Sequence, residues 1–402
     1  MLYAVFCITI LEKHSEIAYN NVAGKYCPRT NHKRKGVVIM TTIFALDVGN
    51  KQTKFKSKNC EGVFPSALIN QRDVQSVFSL GTPEGLTSAK VNGDSQAYYC
   101  GQGVLNYSQN KLLDSLGFGD RYKREVYHLL NEFALNVLAK KSTEKLDDIH
   151  VIAGLPTGDY TKEVIDEIKS VFLEKTGEGF KARTHLVTID DEEVLTKVTD
   201  VTVLPQPIGT FYNEVLKENG DVKQGELVSK RVAIVDIGGG TLLLDELDNV
   251  QLDTNYRIQL ETGANTLYSD LRSSLMQRYS LNTDLHKIEL MVREGLADSA
   301  LENARFVYRQ SDNNRFDVTE IVLSAVQHWT NTIINNVFTT FQNLNEVDAV
   351  IVTGGSASII DKHAFADAFS DSTKVIFVDE PELANVRGFY KYGKLHDTQQ
   401  EG

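Results

Sequence analysis

From Met40 onward, short apolar runs that stop at glycines alternate with longer stretches whose apolar residues lie on one side. Residues 43–48 (IFALDV) are apolar except for Asp47 and end at Gly49-Asn50, the pattern of a buried strand entering a tight turn. Residues 53–58 then alternate like a half-exposed strand, so the two predict a hairpin whose turn holds Gly49, Asn50 and Lys51. Over 123–139, Val126, Leu129, Leu130, Phe133, Val137 and Leu138 recur at helical spacing. Residues 148–153 predict a strand running into Gly154-Leu155-Pro156-Thr157-Gly158, and a helix over 161–173 follows. Residues 201–204 predict a strand broken by Pro205-Gln206-Pro207, then a helical stretch toward Gly220. The most apolar strand, 232–237 (VAIVDI), ends in Gly238-Gly239-Gly240-Thr241, and 242–244 is its return. A helix is predicted over 287–297. A longer one over 319–344 carries Val322, Val326, Trp329, Ile333, Val337 and Phe341 on one stripe. Residues 349–352 form a strand ending in Thr353-Gly354-Gly355-Ser356, and a last short helix is expected over 385–392 before a frayed end. Strands interleaved with helices predict an α/β protein.

The first 39 residues break this pattern. Residues 2–11 (LYAVFCITIL) are apolar but too short for a bilayer, which needs about 20 residues. No Lys or Arg precedes them, unlike a secretory leader. Residues 12–39 are polar and end in Lys33-Arg34-Lys35. The segment 1–39 is expected to be an extension outside the fold, or residues upstream of a true start at Met40.

Charge and cysteine usage remove several classes of function. Lys plus Arg number 42 against 54 Asp plus Glu, a net charge of −12, which opposes wrapping bare nucleic acid because phosphate contacts need clustered cations. Any DNA contact is expected to go through a basic partner. Cys7, Cys27, Cys60 and Cys100 form no CxxC pair and no HExxH occurs, which speaks against structural zinc and redox motifs and fits a reducing, cytoplasmic compartment. No apolar run is long enough to predict a membrane span.

Chemistry concentrates where strands end. Asp47-Val48-Gly49 and Asp236-Ile237-Gly238 each close a strand with Asp-x-Gly, and Gly354-Gly355 closes a third. Glycine lets backbone N–H groups approach a polyphosphate. An Asp at a strand end offers oxygen to hydrated Mg²⁺, which keeps several waters and few protein ligands. Lys54, just past the first turn, can neutralise phosphate charge. No GxxxxGK[ST], no strand-linked GxGxxG and no GxSxG occurs, so a nucleotide site here is of another kind.

In this order the motifs resemble the phosphate-1 hairpin, phosphate-2 hairpin and Gly-Gly adenosine motif of the actin-like ATPase superfamily. Within it the chain is most similar to ParM-type plasmid-segregation proteins. Gly154-Leu155-Pro156-Thr157-Gly158, Leu204-Pro205-Gln206-Pro207-Ile208-Gly209-Thr210 and Asn385-Val386-Arg387-Gly388-Phe389 strengthen that resemblance. It implies an actin-like (ribonuclease-H-like) two-domain fold with a nucleotide cleft between the domains. Domain I would span 40–209, domain II 210–384, and 385–402 would return to domain I.

The resemblance also implies roles. Asp47 would hold Mg²⁺ through water, Gly49 and Asn50 would touch phosphate, and Lys54 would contact the β-phosphate. Many relatives carry Ser or Thr near Asn50. Gln206 would orient the attacking water and Asp236 would act on Mg²⁺ or that water. Gly238, Gly239, Gly240 and Thr241 would cradle phosphates, with Gly354, Gly355 and Ser356 against the nucleoside. Gly263 and Asn265 resemble a ribose-proximal turn, and Arg293 and Glu294 stand near where relatives contact the base.

The implied function is an ATP- or GTP-hydrolysing protein that polymerises with nucleotide and Mg²⁺ to segregate plasmid DNA. Its partners would be further copies of itself and a small DNA-binding adaptor at a centromere-like site, with no direct nucleic acid or membrane contact. Two alternatives stay open. A small-molecule kinase of the same superfamily would transfer phosphate without polymer, and a non-hydrolysing scaffold would bind nucleotide without turnover.

Overall fold

The apolar runs become strands of two separate large sheets, one in each of two compact units: residues up to Gly225 with 385–402, and Glu226–Ala384. The computed structural model describes residues 41–74, 84–115, 120–296, 301–342, 344–369 and 372–400. The expected extension 1–39 and the tail beyond 400 lie outside the described residues.

In the first unit, β1 (Thr42–Val48), β2 (Gln52–Lys56), β3 (Glu61–Pro65), β4 (Ile149–Leu155), β5 (Arg183–Ile189) and β6 (Glu192–Pro205) lie in the order β3-β2-β1-β4-β6-β5. Four short strands, Thr87–Val91, Tyr98–Cys100, Ala67–Asn70 and Leu112–Asp114, continue the sheet beyond β5. β1 runs antiparallel to β2 and parallel to β4, which runs parallel to β6. Every residue of β1 and β4 is buried, which is why both read as continuous apolar runs rather than alternations.

The helix α1 (Glu125–Lys141) packs on β1, β2, β5 and β6, and α2 (Lys162–Phe172) packs on β6. Phe133, Leu130 and Leu135 of α1 join Phe44, Leu46 and Val151 in one core. β6 is longer than the predicted strand 201–204. Its first half alternates exposed and buried positions, with Glu193, Leu195 and Lys197 outside and Val194, Thr196 and Val198 inside.

The register brings three strand ends to one edge. Leu46 pairs with Ala153, and Gly154 with Leu204. Asp47, Gly154 and Gln206 are therefore neighbours at the carboxyl ends of parallel strands, where open α/β sheets bind ligands. The helix α3 (Gln206–Val215) starts directly after β6, with Pro205 as its N-cap and Pro207 in its first turn. Proline is tolerated there because those N–H groups would have no helical partner.

All of α3 is buried, and the C-terminal helix Ala384–Gln400 closes on it. Lys391 Nζ donates to Asn213 O and Oδ1, both at 2.9 Å, and burial pulls its ammonium pKa down. The segment after Gly209 therefore stays with the first unit as far as Gly225. The C-terminal helix extends well past the predicted 385–392.

In the second unit, β7 (Arg231–Ile237), β8 (Leu242–Asp248), β9 (Gln251–Leu260), β10 (Ala349–Thr353) and β11 (Lys374–Phe377) lie in the order β9-β8-β7-β10-β11. β7 and β8 form a hairpin, β10 lies parallel beside β7, and Asp236 pairs with Thr353. The helices α4 (Ala264–Tyr279), α5 (Leu285–Leu296) and α6 (Thr319–Thr340) complete the unit, with α4 against both α5 and α6. The stripe Val322, Val326, Trp329, Ile333 and Val337 is the buried face of α6. Each such side chain contributes roughly 1.5–3 kcal/mol on burial. Phe341 ends the helix and turns into the same core. No helix among the described residues is long and apolar enough to cross a membrane.

Candidate functional site

In the first unit the site is built on the β1–β2 hairpin. Asp47 and Lys54 are direct cross-strand partners, so their side chains share one face of the sheet. Asp47 is 1% exposed. Its Oδ1 accepts a hydrogen bond from Gln206 Nε2 at 2.8 Å. Its Oδ2 lies 3.7 Å from Lys54 Nζ and has no hydrogen-bond partner among the described residues. Gln206 can reach it because α3 starts at that residue beside the end of β1. Gly49 N donates to Gln52 O at 2.9 Å to close the turn. Ser66, just beyond β3, fastens the turn from outside, with Oγ donating to Gly49 O at 2.7 Å and N donating to Lys51 O at 2.8 Å.

Two supporting residues escaped sequence reasoning. Ser66 carries no motif. Arg121 is buried behind the turn, where Nη2 donates to Val48 O and Nη1 to Asn50 Oδ1, both at 2.7 Å. Its guanidinium lies 5.2 Å from the Tyr127 ring centroid and 5.5 Å from that of Tyr122. The neighbouring Tyr122 and Tyr127 were the one available signal, because aromatic faces can accept a desolvated guanidinium.

In the second unit, Gly238 N donates to Thr241 O at 2.8 Å and closes the β7–β8 turn. The start of α4 is anchored to that turn: Ala264 N donates to Gly238 O at 3.1 Å and Asn265 N to Gly239 O at 2.8 Å. Gly263 is required here, since a Cβ would stand 2.6 Å from Thr241 N. Among the described residues, the amides of Gly239, Gly240 and Thr241 donate to no backbone carbonyl. The turn thus spends two carbonyls on the helix and leaves its amides in an arrangement that would suit an anion.

Asp236 faces Gly354 so closely that a Cβ at Gly354 would lie 2.2 Å from its Oδ1. Gly354 also has a φ of +95°, a backbone region that other residues avoid. Arg293 on α5 donates from Nη2 to Gly355 O at 3.1 Å and from Nε to Glu289 Oε1 at 3.0 Å. Burial works against the Arg293 cation, but Tyr268 and Glu289 outweigh it and raise its pKa further. Ser356 is buried and gives its amide to Ile237 O at 2.9 Å. Each unit therefore gathers its own part of the expected residues: Asp47, Gly49, Asn50, Lys54 and Gln206 in the first, and Asp236, Gly238–Thr241, Gly263, Asn265, Arg293 and Gly354–Ser356 in the second.

Comparison with known families bears on both units. The family described as actin-like proteins, N-terminal domain, matches residues 45–209, and the Alp7A C-terminal domain matches residues 231–374. The chain belongs to the actin-like proteins. Its actin-like fold recurs in the apo ParM protein of psk41, at 20% identity and a TM-score of 0.68 over 90% of this chain and 100% of that one. An archaeal actin homologue in complex with ADP matches at 14% identity and a TM-score of 0.65, over 90% and 100% of the two chains. A 15-stranded ParM filament from Clostridium botulinum matches at 15% identity and 0.63, over 89% and 99%. At such identities the likeness carries the fold. No curated protein matches the chain.

The residues of this actin-like protein suit a metal held through water. No group of three or more His, Cys, Asp or Glu among the described residues could form a protein cage for an ion. Mg²⁺ needs none, because it retains waters and takes one or two carboxylates. The buried, unbonded Oδ2 of Asp47 is an acceptor that such a water would satisfy.

Proposed function

We propose that this actin-like protein binds and hydrolyses ATP or GTP with Mg²⁺, polymerises with the nucleotide bound, and disassembles after hydrolysis to segregate plasmid DNA in the cytoplasm. The observation that carries the proposal is the buried Asp47 carboxylate, held by Gln206 on one oxygen and unbonded on the other, with Lys54 opposite.

Lys54 and the amides of the two glycine turns bind phosphate oxygens. Asp47 and Asp236 would hold Mg²⁺, which supplies charge neutralisation on the phosphates when bound. Gln206 uses Nε2 on Asp47, which leaves Oε1 to accept a hydrogen from a water and aim it at the terminal phosphorus. That is orientation and not proton abstraction, since an amide is a very weak base. Gly354 and Gly355 lie against the nucleoside, with Arg293 fixing the Gly355 carbonyl.

Coupling to assembly requires the nucleotide to favour one conformation over another, because a ligand shifts an equilibrium only by its differential affinity. The ParM filament of similar fold supports self-association as the response. DNA contact would pass through a small DNA-binding adaptor, in keeping with the acidic chain.

The test is light scattering with pelleting of the full chain in Mg²⁺ with ATP, GTP and a non-hydrolysable analogue, alongside Asp236→Ala. Polymer that decays with phosphate release and persists with the analogue is expected. Absence of polymer in every nucleotide state overturns the filament function. Phosphate transfer that depends on an added small molecule would instead establish a kinase.

A further inference from the structure

Arg121 is a buried cation with neutral partners. It is 5% exposed, and its polar contacts are Val48 O, Asn50 Oδ1 and, at 3.5 Å, Ser115 Oγ. No carboxylate among the described residues forms an ion pair with it, and its Nε is buried without a hydrogen-bond partner. Burying a charge without an ion pair is costly, so the two carbonyl acceptors and the two aromatic faces that offset the cost also hold the guanidinium in one place.

The segment that carries Arg121 is itself fixed. The Tyr122 hydroxyl donates to Asp159 Oδ2 at 2.6 Å, and His128 Nε2 donates to the Tyr122 carbonyl at 2.7 Å. The two tyrosine rings limit where the guanidinium can lie. One rigid side chain therefore holds two points of the β1–β2 turn.

Donor chemistry then sets the orientation of Asn50. A guanidinium has donors only, so Asn50 must turn Oδ1 to Arg121. Its Nδ2 group is left as a donor at the exposed tip of the hairpin. We propose that Arg121 is a positioning residue for a bound polyphosphate, fixing the turn and presenting Asn50 Nδ2 as a donor to the terminal phosphate. The inference rests on the nucleotide function proposed above. It gives the asparagine a defined task at a position where a hydroxyl residue would donate without such help.

Two variants separate this task from fold maintenance. Asn50→Asp keeps an acceptor for Arg121 and removes the donor. Arg121→Lys keeps the charge but replaces the planar fork with a single point donor. Binding of a non-hydrolysable triphosphate analogue and of the diphosphate is measured with Mg²⁺ on the full chain, beside thermal unfolding without nucleotide. Asn50→Asp is expected to melt no lower than wild type, since its carboxylate would pair with Arg121. It should weaken the triphosphate analogue about tenfold or more, through the lost hydrogen bond to a charged group and the repulsion of the terminal phosphate by the new carboxylate, and the diphosphate clearly less. Arg121→Lys is expected to narrow the wild-type preference between the two nucleotides.

Wild-type affinity in Asn50→Asp, or equal weakening for both nucleotides, overturns the inference while leaving nucleotide binding intact. A wild-type chain that binds neither nucleotide overturns the nucleotide function, and this inference with it.

Discussion

Phe389 lies so close to Gly154 that a methyl group on Gly154 would stand 2.3 Å from the ring carbon Cε2. The same methyl would be 3.4 Å from Asp47 Oδ1, and on its other side the ring meets Gly209, where a Cβ would be 2.5 Å away. The C-terminal helix thus closes behind the Asp47 carboxylate through one aromatic ring seated between two glycines. Gly154→Ala should destabilise the first unit by about 1–3 kcal/mol, the usual cost of overpacking. Phe389→Leu in the same chain should recover part of that loss, because the two sites share one contact. Denaturant unfolding of the two single variants and the double variant measures the coupling. A Gly154→Ala protein as stable as wild type would show that the packing yields at no cost.

That contact also explains what could be read in the sequence. The three Asp-x-Gly and Gly-Gly strand ends were legible because a buried apolar strand and a stopping glycine leave local signals. Around Gly154, Gly209 and Gly388 the pattern gave element ends, but the part these stretches play was legible only as resemblance. Their purpose is tertiary: a Cβ at Gly388 would sit 1.7 Å from Gly209 O, a meeting of residues far apart in the chain. Gly388 and Gly393 lower intrinsic helix propensity, yet the last helix runs on to Gln400, because Gly388 lets it close on α3 and Gly393 lets it close on Ile43 and Ile152 of the sheet. The first half of β6 was not read as a strand although residues 192–198 alternate, because its exposed Leu195 and buried Thr196 blur the contrast between apolar and polar positions. Arg121 was missed because its only local signal is the pair of nearby tyrosines, and its main partners, Val48 and Asn50, lie 73 and 71 residues away in the chain.

The Gln206–Asp47 hydrogen bond predicts a split between binding and turnover. Gln206→Ala should leave triphosphate affinity within about threefold and slow hydrolysis on the order of a hundredfold, the cost of a misplaced reactant. Gln206→Glu sets an acceptor and a like charge against Asp47 Oδ1, so it should also weaken Mg²⁺-dependent binding. Phosphate-release assays with parallel binding titrations check both. Equal rates in wild type and Gln206→Ala would remove Gln206 from the hydrolytic machinery.

Gly354 predicts a defect that a larger residue cannot avoid. Its φ of +95° and the 2.2 Å approach to Asp236 Oδ1 mean that Gly354→Ala must move either the backbone or the carboxylate. Backbone strain alone costs about 1–2 kcal/mol. The variant should melt at a lower temperature and bind nucleotide more weakly, and nucleotide should raise its melting temperature less than that of wild type. Differential scanning fluorimetry with and without nucleotide reads both effects. An unchanged nucleotide-induced shift would show that the Asp236–Gly354 contact does not serve binding.

The Glu61–Arg387 pair makes a pH prediction whose sign follows from its direction. Arg387 Nη2 and Nε donate to the Glu61 carboxylate at 2.6 and 3.0 Å, and Lys56 Nζ adds a contact at 3.2 Å. The Arg387 hydrogen bonds, ahead of the opposing effect of burial, lower the Glu61 pKa from 4.5 to about 2. A carboxylate whose folded pKa is depressed contributes stability that is complete above its unfolded pKa and lost as pH falls toward the folded one. The pair therefore helps fully above about 4.5, progressively less below it, and little once the pH passes about 2. Solvent reaches this carboxylate, so the contribution near neutral pH is at most about 1 kcal/mol after screening, and added salt should reduce it. Glu61→Gln should unfold at lower denaturant than wild type near neutral pH. The gap should narrow steadily as the buffer is taken below 4.5. A gap that stays constant or widens on acidification would mean that the bridge tying β3 to the C-terminal helix contributes no charge-dependent stability.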